Sequence, residues 1–133
     1  MKDFANLLRN YDLEYFGKGT HKVTFEEMIK AKKENSAFIL DVRTEEENKL
    51  ISFNFATNIA ISQIPDRLNE IPKDKTIVVF CSSATRATIT SVYLQLNGYN
   101  DVKILLDSVG DIASNIKPGF ALKNKDLISK LIS

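Results

Sequence analysis

The residue best suited to covalent chemistry in this 133-residue chain is Cys81, its only cysteine. It directly follows an apolar run at residues 77–80, and helical spacing begins a few residues later. A cysteine between a buried strand and a helix lies where free N–H groups of the loop and of the first helical turn converge, and the helix dipole adds partial positive charge. This position favours the thiolate, which is the nucleophilic form of cysteine.

Arg86 supports this interpretation, because a cation in the first turn of a helix is unfavourable unless an anion lies nearby. A thiolate or a bound oxyanion would supply that negative charge. The alternative is that Cys81 is a small buried hydrophobic residue and that Ser82, Ser83 and Thr85 are ordinary cap and turn residues. The combination of strand, cysteine, small polar loop, arginine and amphipathic helix favours the reactive cysteine.

Asp41 and Arg43 form a second candidate pair, at the end of another strongly apolar segment. Sites in parallel sheets lie beyond the carboxyl ends of the strands, so we expect this pair close to the cysteine. Two roles stay open for it. Either it contacts substrate, or Asp41 caps the following turn while Arg43 pairs with Glu46 or Glu47.

The single cysteine and single histidine bear on metals and on location. A zinc site built from cysteine and histidine needs four ligands, mostly of those two types, so we expect no metal. A lone cysteine cannot form an internal disulfide, which favours a reducing, cytoplasmic setting. His21 follows a glycine-rich turn, and we interpret it as a surface or packing residue.

The composition argues against several classes of function. Lys and Arg number 18 and Asp and Glu number 17, which leaves a formal charge of +1. This balance argues against a nucleic-acid partner bound through its phosphates. The longest apolar run has five residues, 77–81, far short of the ~20 that span a bilayer. The N-terminal residues carry no apolar signal segment, so we expect neither export nor a membrane partner.

Short apolar segments alternate with amphipathic ones along the chain, which predicts an α/β fold with a mainly parallel sheet. Strands are predicted at residues 37–42, 57–61, 77–80 and 102–106. Helices are predicted at residues 24–34, from residue 44, at 84–97 and at 125–132, with helical turns at 64–71. Capping boxes at Thr24 and Thr44 mark two of the helix starts.

Three regions are predicted from this pattern. Residues 1–20 form an N-terminal arm or short helix packed on the domain, residues 21–119 form the α/β domain, and residues 120–133 form a C-terminal helical extension.

Four blocks of sequence, in order, carry a resemblance to a known family. They are D-V-R-T-E-E-E at 41–47, I-P-K-D-K-T-I-V-V-F-C at 71–81, C-S-S-A-T-R at 81–86 and L-N-G-Y-N-D-V at 96–102. The chain resembles the single-domain rhodaneses, a sulfurtransferase family with the patterns D-V-R-x-x-x-E, L-P-K-D-K-x-I-V-V-Y-C, C-x-x-x-x-R and G-Y-x-D-V. The resemblance covers residues 38–119.

The resemblance implies a rhodanese-like fold, with a mostly parallel central sheet of about five strands flanked by helices on both faces. It makes Cys81 the nucleophile and gives Asp41 and Arg43 a supporting place. The substrate-binding backbone cradle would comprise Ser82, Ser83, Ala84, Thr85 and Arg86. The four residues between Cys81 and Arg86 match the family's sulfur-sized loop, whereas related phosphatases and arsenate reductases have a loop one residue longer.

The activity implied is that of a thiosulfate-type sulfurtransferase, which needs no cofactor. Cys81 would take a sulfane sulfur from thiosulfate or a persulfide donor and pass it, as a persulfide, to a thiol, cyanide or a protein acceptor. The first alternative is a catalytically weak rhodanese-like binding or regulatory module. A phosphatase or arsenate reductase is the second, and a peroxide-reducing thiol enzyme, which would lack a resolving cysteine, is the third.

The chain departs from the family pattern at several positions. Residues 51–56, which include Phe53 and Phe55, replace the usual G-H-I-P-G-A. Asp107 and Ser108 replace a late Gly-Gly pair, and Ile112 replaces the aromatic residue after it. The segment with Phe53 and Phe55 and the replacement at Asp107 and Ser108 are the sequence clues to the binding-module alternative. Inside the loop, alanine stands at position 84 in place of a glycine, which predicts a backbone that turns sharply or has a positive φ at that residue. The loop is then either strained by the β-carbon of Ala84 or relaxed into a slightly different shape.

Overall fold

The computed structural model describes residues 3–132, with side chains to residue 131, and its centre is a parallel sheet of five strands. The strand order is β1-β5-β4-β2-β3, and every pairing is parallel. The strands are β1 (Lys22–Val23), β2 (Ala37–Asp41), β3 (Thr57–Asn58), β4 (Thr76–Phe80) and β5 (Val102–Leu105). The predicted α/β fold with about five mostly parallel strands is confirmed.

Helices connect the strands and extend beyond them. They are α1 (Phe4–Arg9), α2 (Leu13–Lys18), α3 (Phe25–Lys33), α4 (Glu45–Leu50), α5 (Thr85–Leu96), α6 (Val109–Asn115), α7 (Pro118–Lys123) and α8 (Lys125–Ile132), with 3₁₀ helices at Ile61–Asp66 and Leu68–Glu70. Over residues 3–132, no helix has the length and apolar character needed to cross a membrane.

The sequence prediction missed three short elements, namely β1, α6 and α7. Strand β1 has only two residues and pairs with β5 alone, so it is too short to show an alternating pattern. Helix α7 begins with Pro118 at its first position, a proline that opens a helix rather than closing one. The predicted strand at 57–61 pairs in register only over its first two residues.

The predicted division at residues 20/21 and 119/120 stays a prediction. Met1 and Lys2 of the predicted arm and Ser133 of the predicted extension lie outside the described residues.

The alternation of side chains along the strands divides the core into two clusters, one on each face of the sheet. In β4, Val79 faces one cluster with Leu94 of α5, and the cysteine that follows the strand belongs to the same cluster. Val78 and Phe80 face the other cluster, which contains residues of α3, α6 and α8. Helices therefore cover both faces, as predicted, and the period of two places Cys81 beneath α5.

Phe53 and Phe55 belong to this second cluster. They are only 8% and 6% exposed, and their rings contact the ring of Phe80 at centroid distances of 5.7 and 6.5 Å. These two rings fill the core under the sheet and therefore give the binding-module alternative no support.

The segment G-Y-N-D-V joins α5 to β5 and anchors that turn. Gly98 ends the helix with a φ of 90°, which glycine adopts without strain. The buried Tyr99 hydroxyl donates to the carbonyl oxygens of Leu68 and Ile71, at 3.1 and 2.7 Å. Asp101 accepts a hydrogen bond from the Thr76 hydroxyl at the start of β4. This turn therefore fixes where β4 and β5 begin.

We predict that Tyr99→Phe lowers the free energy of unfolding by about 1–2 kcal/mol, because it removes the donor of two carbonyl groups at a buried site. Urea denaturation measures the change. Tyr93→Phe is the matched control, since Tyr93 lies on α5 just before this turn, packs at the edge of the same core, and makes no hydroxyl hydrogen bond within the described residues. Equal losses in the two variants would contradict the assigned role of the Tyr99 hydroxyl.

Candidate active site

The two segments predicted to form the site lie side by side. Strands β2 and β4 are neighbours, and Asp41 at the end of β2 is in register with Phe80 at the end of β4. Residues 81–84 form the loop between β4 and α5. The carboxyl edge of the sheet therefore brings the cysteine loop next to Asp41 and Arg43.

Cys81 lies at the bottom of this loop and is 1% exposed. The backbone N–H of Ala87 donates to its Sγ at 3.3 Å. Ala87 lies in the first turn of the 12-residue helix α5, where N–H groups have no intrahelical acceptor. The sulfur thus replaces the missing acceptor and sits at the positive end of the helix dipole, which favours negative charge on it.

Arg86 is held by a residue that the sequence analysis did not assign to the site. Its Nη1 and Nη2 donate to the two carboxylate oxygens of Glu47, at 2.6 and 3.0 Å, and Nη2 also donates to Ser82 Oγ at 2.9 Å. The anion that pairs with this arginine is therefore the carboxylate of Glu47, where a thiolate or a bound oxyanion was expected. The glutamate of the D-V-R-x-x-x-E block was the sequence signal that pointed to it.

Two local features hold Glu47 in place for this contact. It is the third residue of α4, and its side chain and that of Thr44 form the predicted capping box. Hydrogen bonding from Arg86, assisted by bonds from Thr44, lowers the pKa of Glu47 from 4.5 to about 2. The hydrogen bond to Glu47 in turn raises the pKa of Arg86. Both groups are charged at neutral pH.

Asp41 and Arg43 form a buried ion pair, with side chains 2% and 3% exposed. Arg43 Nη2 donates to Asp41 Oδ2 at 2.7 Å, and the Arg43 backbone N–H donates to Asp41 Oδ1 at 3.0 Å. The prediction that Asp41 caps the turn is confirmed. The prediction that Arg43 pairs with Glu46 or Glu47 was wrong, because the Glu47 carboxylate is already engaged by Arg86.

The remaining donors of Arg43 reach the backbone of α4. Nη2 donates to the Ile51 carbonyl at 2.8 Å, and Nη1 donates to the Glu47 carbonyl at 3.5 Å. The guanidinium also lies 5.4 Å from the centre of the Phe53 ring. Arg43 therefore fixes α4 to the end of β2, and through α4 it sets the position of the glutamate that binds Arg86.

The backbone of Ala84 is left-handed, with φ 75° and ψ −24°, which is one of the two shapes that the missing glycine predicts. Ala84 is the residue immediately before α5 and makes no side-chain capping bond. A β-carbon in this conformation costs about 1 kcal/mol or more, so of the two predicted outcomes the loop shows the strained one.

The other departures from the family pattern, at residues 107, 108 and 112, occupy ordinary structural positions. Ser108 opens α6 with a capping box to Asp111, and Ile112 is fully buried in the core. Burial and the charge of Asp111 raise the pKa of Asp107. His21 is a packing residue, as predicted, with its ring stacked 5.1 Å from that of Tyr15.

The chain is similar in sequence and fold to several known proteins. The family model described as a rhodanese-like domain matches residues 24–114. A sulfurtransferase from Allochromatium vinosum is 34% identical over 64 residues, which make up 48% of this chain and 60% of that protein. The match thus spans less than two thirds of that relative's length.

Two solved structures are also similar. A human single-domain sulfurtransferase has a TM-score of 0.66 at 19% identity, over 74% of this chain and 100% of that chain; at this identity the likeness concerns the fold alone. An NAD-dependent persulfide reductase from A. fulgidus is 33% identical with a TM-score of 0.55, over 78% of this chain and 17% of that chain.

We predict that Ala84→Gly raises the free energy of unfolding by up to about 1 kcal/mol or increases the rate of reaction at Cys81, because it relieves the left-handed strain in the loop. Urea denaturation and a turnover assay measure the two effects. Asn35→Gly is the control, since Asn35 has a similar φ of 57° on another loop and should leave turnover unchanged. A sharp fall in both quantities on Ala84→Gly would show that this loop requires alanine.

We predict that the ion pair between Glu47 and Arg86 makes stability depend on pH. The pKa of Glu47 falls from 4.5 to about 2 on folding, so its contribution is complete above pH 4.5 and is lost as the pH falls towards 2. The difference in unfolding free energy between the wild type and Glu47→Gln should therefore shrink over that interval. Glu46→Gln, on the exposed side of α4, is the control and should give a small, flat difference. A Glu47→Gln difference that does not change with pH would contradict the pairing.

Proposed function

Because the chain belongs to the rhodanese-like domain family, we propose that it transfers a sulfane sulfur through a persulfide on Cys81. The donor is thiosulfate or a persulfide, and the acceptor is a thiol, cyanide or a protein. The observation that carries the proposal is the contact of 3.3 Å between the Ala87 N–H and the sulfur of the only cysteine. This contact puts the nucleophile at the N-terminus of a long helix.

In the first half-reaction the Cys81 thiolate attacks the outer sulfur of the donor. The bond between that sulfur and the rest of the donor breaks, and the leaving group departs with the electron pair. With thiosulfate the leaving group is sulfite, and Cys81 carries an anionic persulfide. The new bond to the transferred sulfur replaces the bond that breaks, so no external oxidant or reductant is needed.

The loop backbone provides the proposed binding site for the transferred sulfur. N–H groups around a loop before a helix N-terminus stabilise an anion without reorganising. The proposed cradle comprises Ser82, Ser83, Ala84, Thr85 and Arg86. Arg86 supplies positive charge to the loop. It also helps to hold the loop's shape, because it is hydrogen-bonded to both the hydroxyl of Ser82 and the carboxylate of Glu47.

Asp41 and Arg43 are positioning residues in this proposal. Both side chains are too deeply buried to touch a donor. Their contribution is to fix α4, and therefore Glu47, against the loop.

In the second half-reaction a nucleophilic acceptor attacks the outer sulfur of the persulfide. The bond between the two sulfurs breaks, the acceptor keeps the outer sulfur, and the Cys81 thiolate is restored. The relatives support both halves in general terms, since one is a sulfurtransferase and another a persulfide reductase. The four-residue spacing between Cys81 and Arg86 supports sulfur over a tetrahedral phosphate or arsenate.

We predict that intact mass increases by one sulfur atom when the protein is treated with a sulfane donor, because Cys81 is its only thiol. Mass spectrometry under non-reducing conditions measures the gain, and cyanide should reverse it. Cys81→Ser is the control and should gain nothing.

Two results would contradict this proposal. A wild type that gains no sulfur from any sulfane donor would favour the binding-module alternative. Rapid turnover of an aryl phosphate that depends on Cys81 would favour the phosphatase alternative.

A further inference from the structure

Building on the sulfur transfer proposed above, we propose that Thr88 is a positioning residue for the loop around Cys81, because it holds the left-handed turn at Ala84. The hydroxyl of Thr88 donates to the Ala84 carbonyl at 2.9 Å, and the Thr88 backbone N–H donates to the same oxygen at 2.9 Å. In this proposal Thr88 touches neither the sulfur nor the donor. It acts on the reaction through the backbone of Ala84.

The first turns of α5 bind the cysteine loop at three points. Three consecutive helix residues each donate to a different loop residue, and the pairs are Arg86 with Ser82 Oγ, the Ala87 N–H with Cys81 Sγ, and the Thr88 hydroxyl with the Ala84 carbonyl. Of these three contacts, only the one from Thr88 reaches the backbone of the loop. It is therefore the contact that can set the turn.

Alanine has no side chain that could hold a left-handed conformation. Ala84 and Asn35 are the two non-glycine residues with positive φ in the described part of the chain. Asparagine tolerates this conformation because its short polar side chain can form hydrogen bonds, and the Asn35 side-chain oxygen accepts one from Lys75 at 2.8 Å. Ala84 makes no side-chain capping bond. The support for its turn must therefore come from another residue.

The bond from Thr88 also sets the direction of a backbone donor. The peptide group between Ala84 and Thr85 is planar and trans, so its N–H points away from its carbonyl. Its carbonyl accepts from Thr88 along α5, so the Thr85 N–H points out of the N-terminal end of that helix. The sulfur of Cys81 lies at the same end, where it accepts from Ala87. Thr88 thus directs an N–H of the proposed cradle towards the place where the persulfide forms.

The strain at Ala84 explains why this hydroxyl matters. Rotation of a peptide group beside Ala84 would relieve the strain, and rotation of the group that follows it would turn the Thr85 N–H away from the sulfur. Two hydrogen bonds to the Ala84 carbonyl oppose that rotation, whereas the Thr88 backbone N–H alone would supply only one. A donor of this kind contributes to the rate only when it is already aligned. Removing the Thr88 hydroxyl should therefore slow transfer without disrupting the fold.

Thr90 offers a matched control on the same helix. Its hydroxyl donates to the Arg86 carbonyl at 2.9 Å, which is the same bond to a residue four positions earlier. Such bonds are common for threonine in helices. The acceptor of Thr90 lies inside α5, so no left-handed turn depends on it.

The experiment measures sulfur loading on Cys81 by intact mass, with thiosulfate and with 2-hydroxyethyl persulfide as donors. It compares the wild type with Thr88→Val, Thr88→Ser and Thr90→Val. Valine keeps the shape of threonine and has a similar helix propensity, whereas serine keeps the hydroxyl. Urea denaturation of each variant establishes that it is folded under the assay conditions.

We expect Thr88→Val to slow loading by about threefold to tenfold, because one donor of the cradle is less well aligned. Thr88→Ser should retain at least about half of the wild-type rate, since the hydroxyl is still present. Thr90→Val should change the rate by less than about twofold.

Ala84→Gly separates the proposed role from general support of the helix. Glycine adopts the left-handed conformation without strain, so the loop of this variant no longer needs the Thr88 hydroxyl. When Thr88→Val is combined with Ala84→Gly, we expect it to change the loading rate by less than about twofold. A residue that merely stabilised α5 would cause the same loss with and without Ala84→Gly.

Three results would overturn the inference while leaving sulfur transfer through Cys81 intact. They are equal loading rates for Thr88→Val and Thr90→Val, a rate for Thr88→Ser as low as that for Thr88→Val, and a loss on Thr88→Val that Ala84→Gly does not reduce. A wild type that loads no sulfur from either donor would overturn the proposed function, and the role of Thr88 with it.

Discussion

The contact between Arg86 and Glu47 is the interaction on which the arrangement of the site depends. It joins α5, the cysteine loop and α4, three elements that no strand pairing connects directly. The glutamate is available because a capping box fixes it at the start of α4, and α4 is itself fixed by the buried Arg43. Buried and half-buried ion pairs are weak evidence for stability but effective at selecting one geometry, and here the geometry selected is that of the loop around Cys81.

The order of the strands explains why the site forms between β2 and β4. The chain passes from β2 to β3 on one side, returns to form β4 on the other side of β2, and continues outward to β5. Crossovers that diverge from neighbouring parallel strands leave a crevice at their carboxyl ends. Asp41 and Cys81 are the residues that the chain places at the two sides of that crevice.

Much of this architecture could be predicted from the sequence, because its signals are local. Three such signals act within a few residues of the chain. They are the apolar runs of β2 and β4, the capping boxes at Thr24 and Thr44, and the alanine at position 84, where the family has a glycine. The partner of Arg86 could not be predicted in this way, since Glu47 is 39 residues distant in the chain and reaches it only once β2 and β4 have paired. The burial of Phe53 and Phe55 could not be predicted either, because an aromatic pair has the same sequence pattern whether a core or a partner covers it.

Because Cys81 is deeply buried, the labelling of its thiol can report how often the structure around it opens. The cysteine follows β4, which is hydrogen-bonded to a neighbouring strand on both sides, and it is enclosed by α5. At 1% exposure, Cys81 becomes accessible to a bulky thiol reagent only when the structure around it opens locally or globally. The rate of labelling by such a reagent would thus measure how often this region opens, while small sulfur compounds would report the chemistry of the closed state.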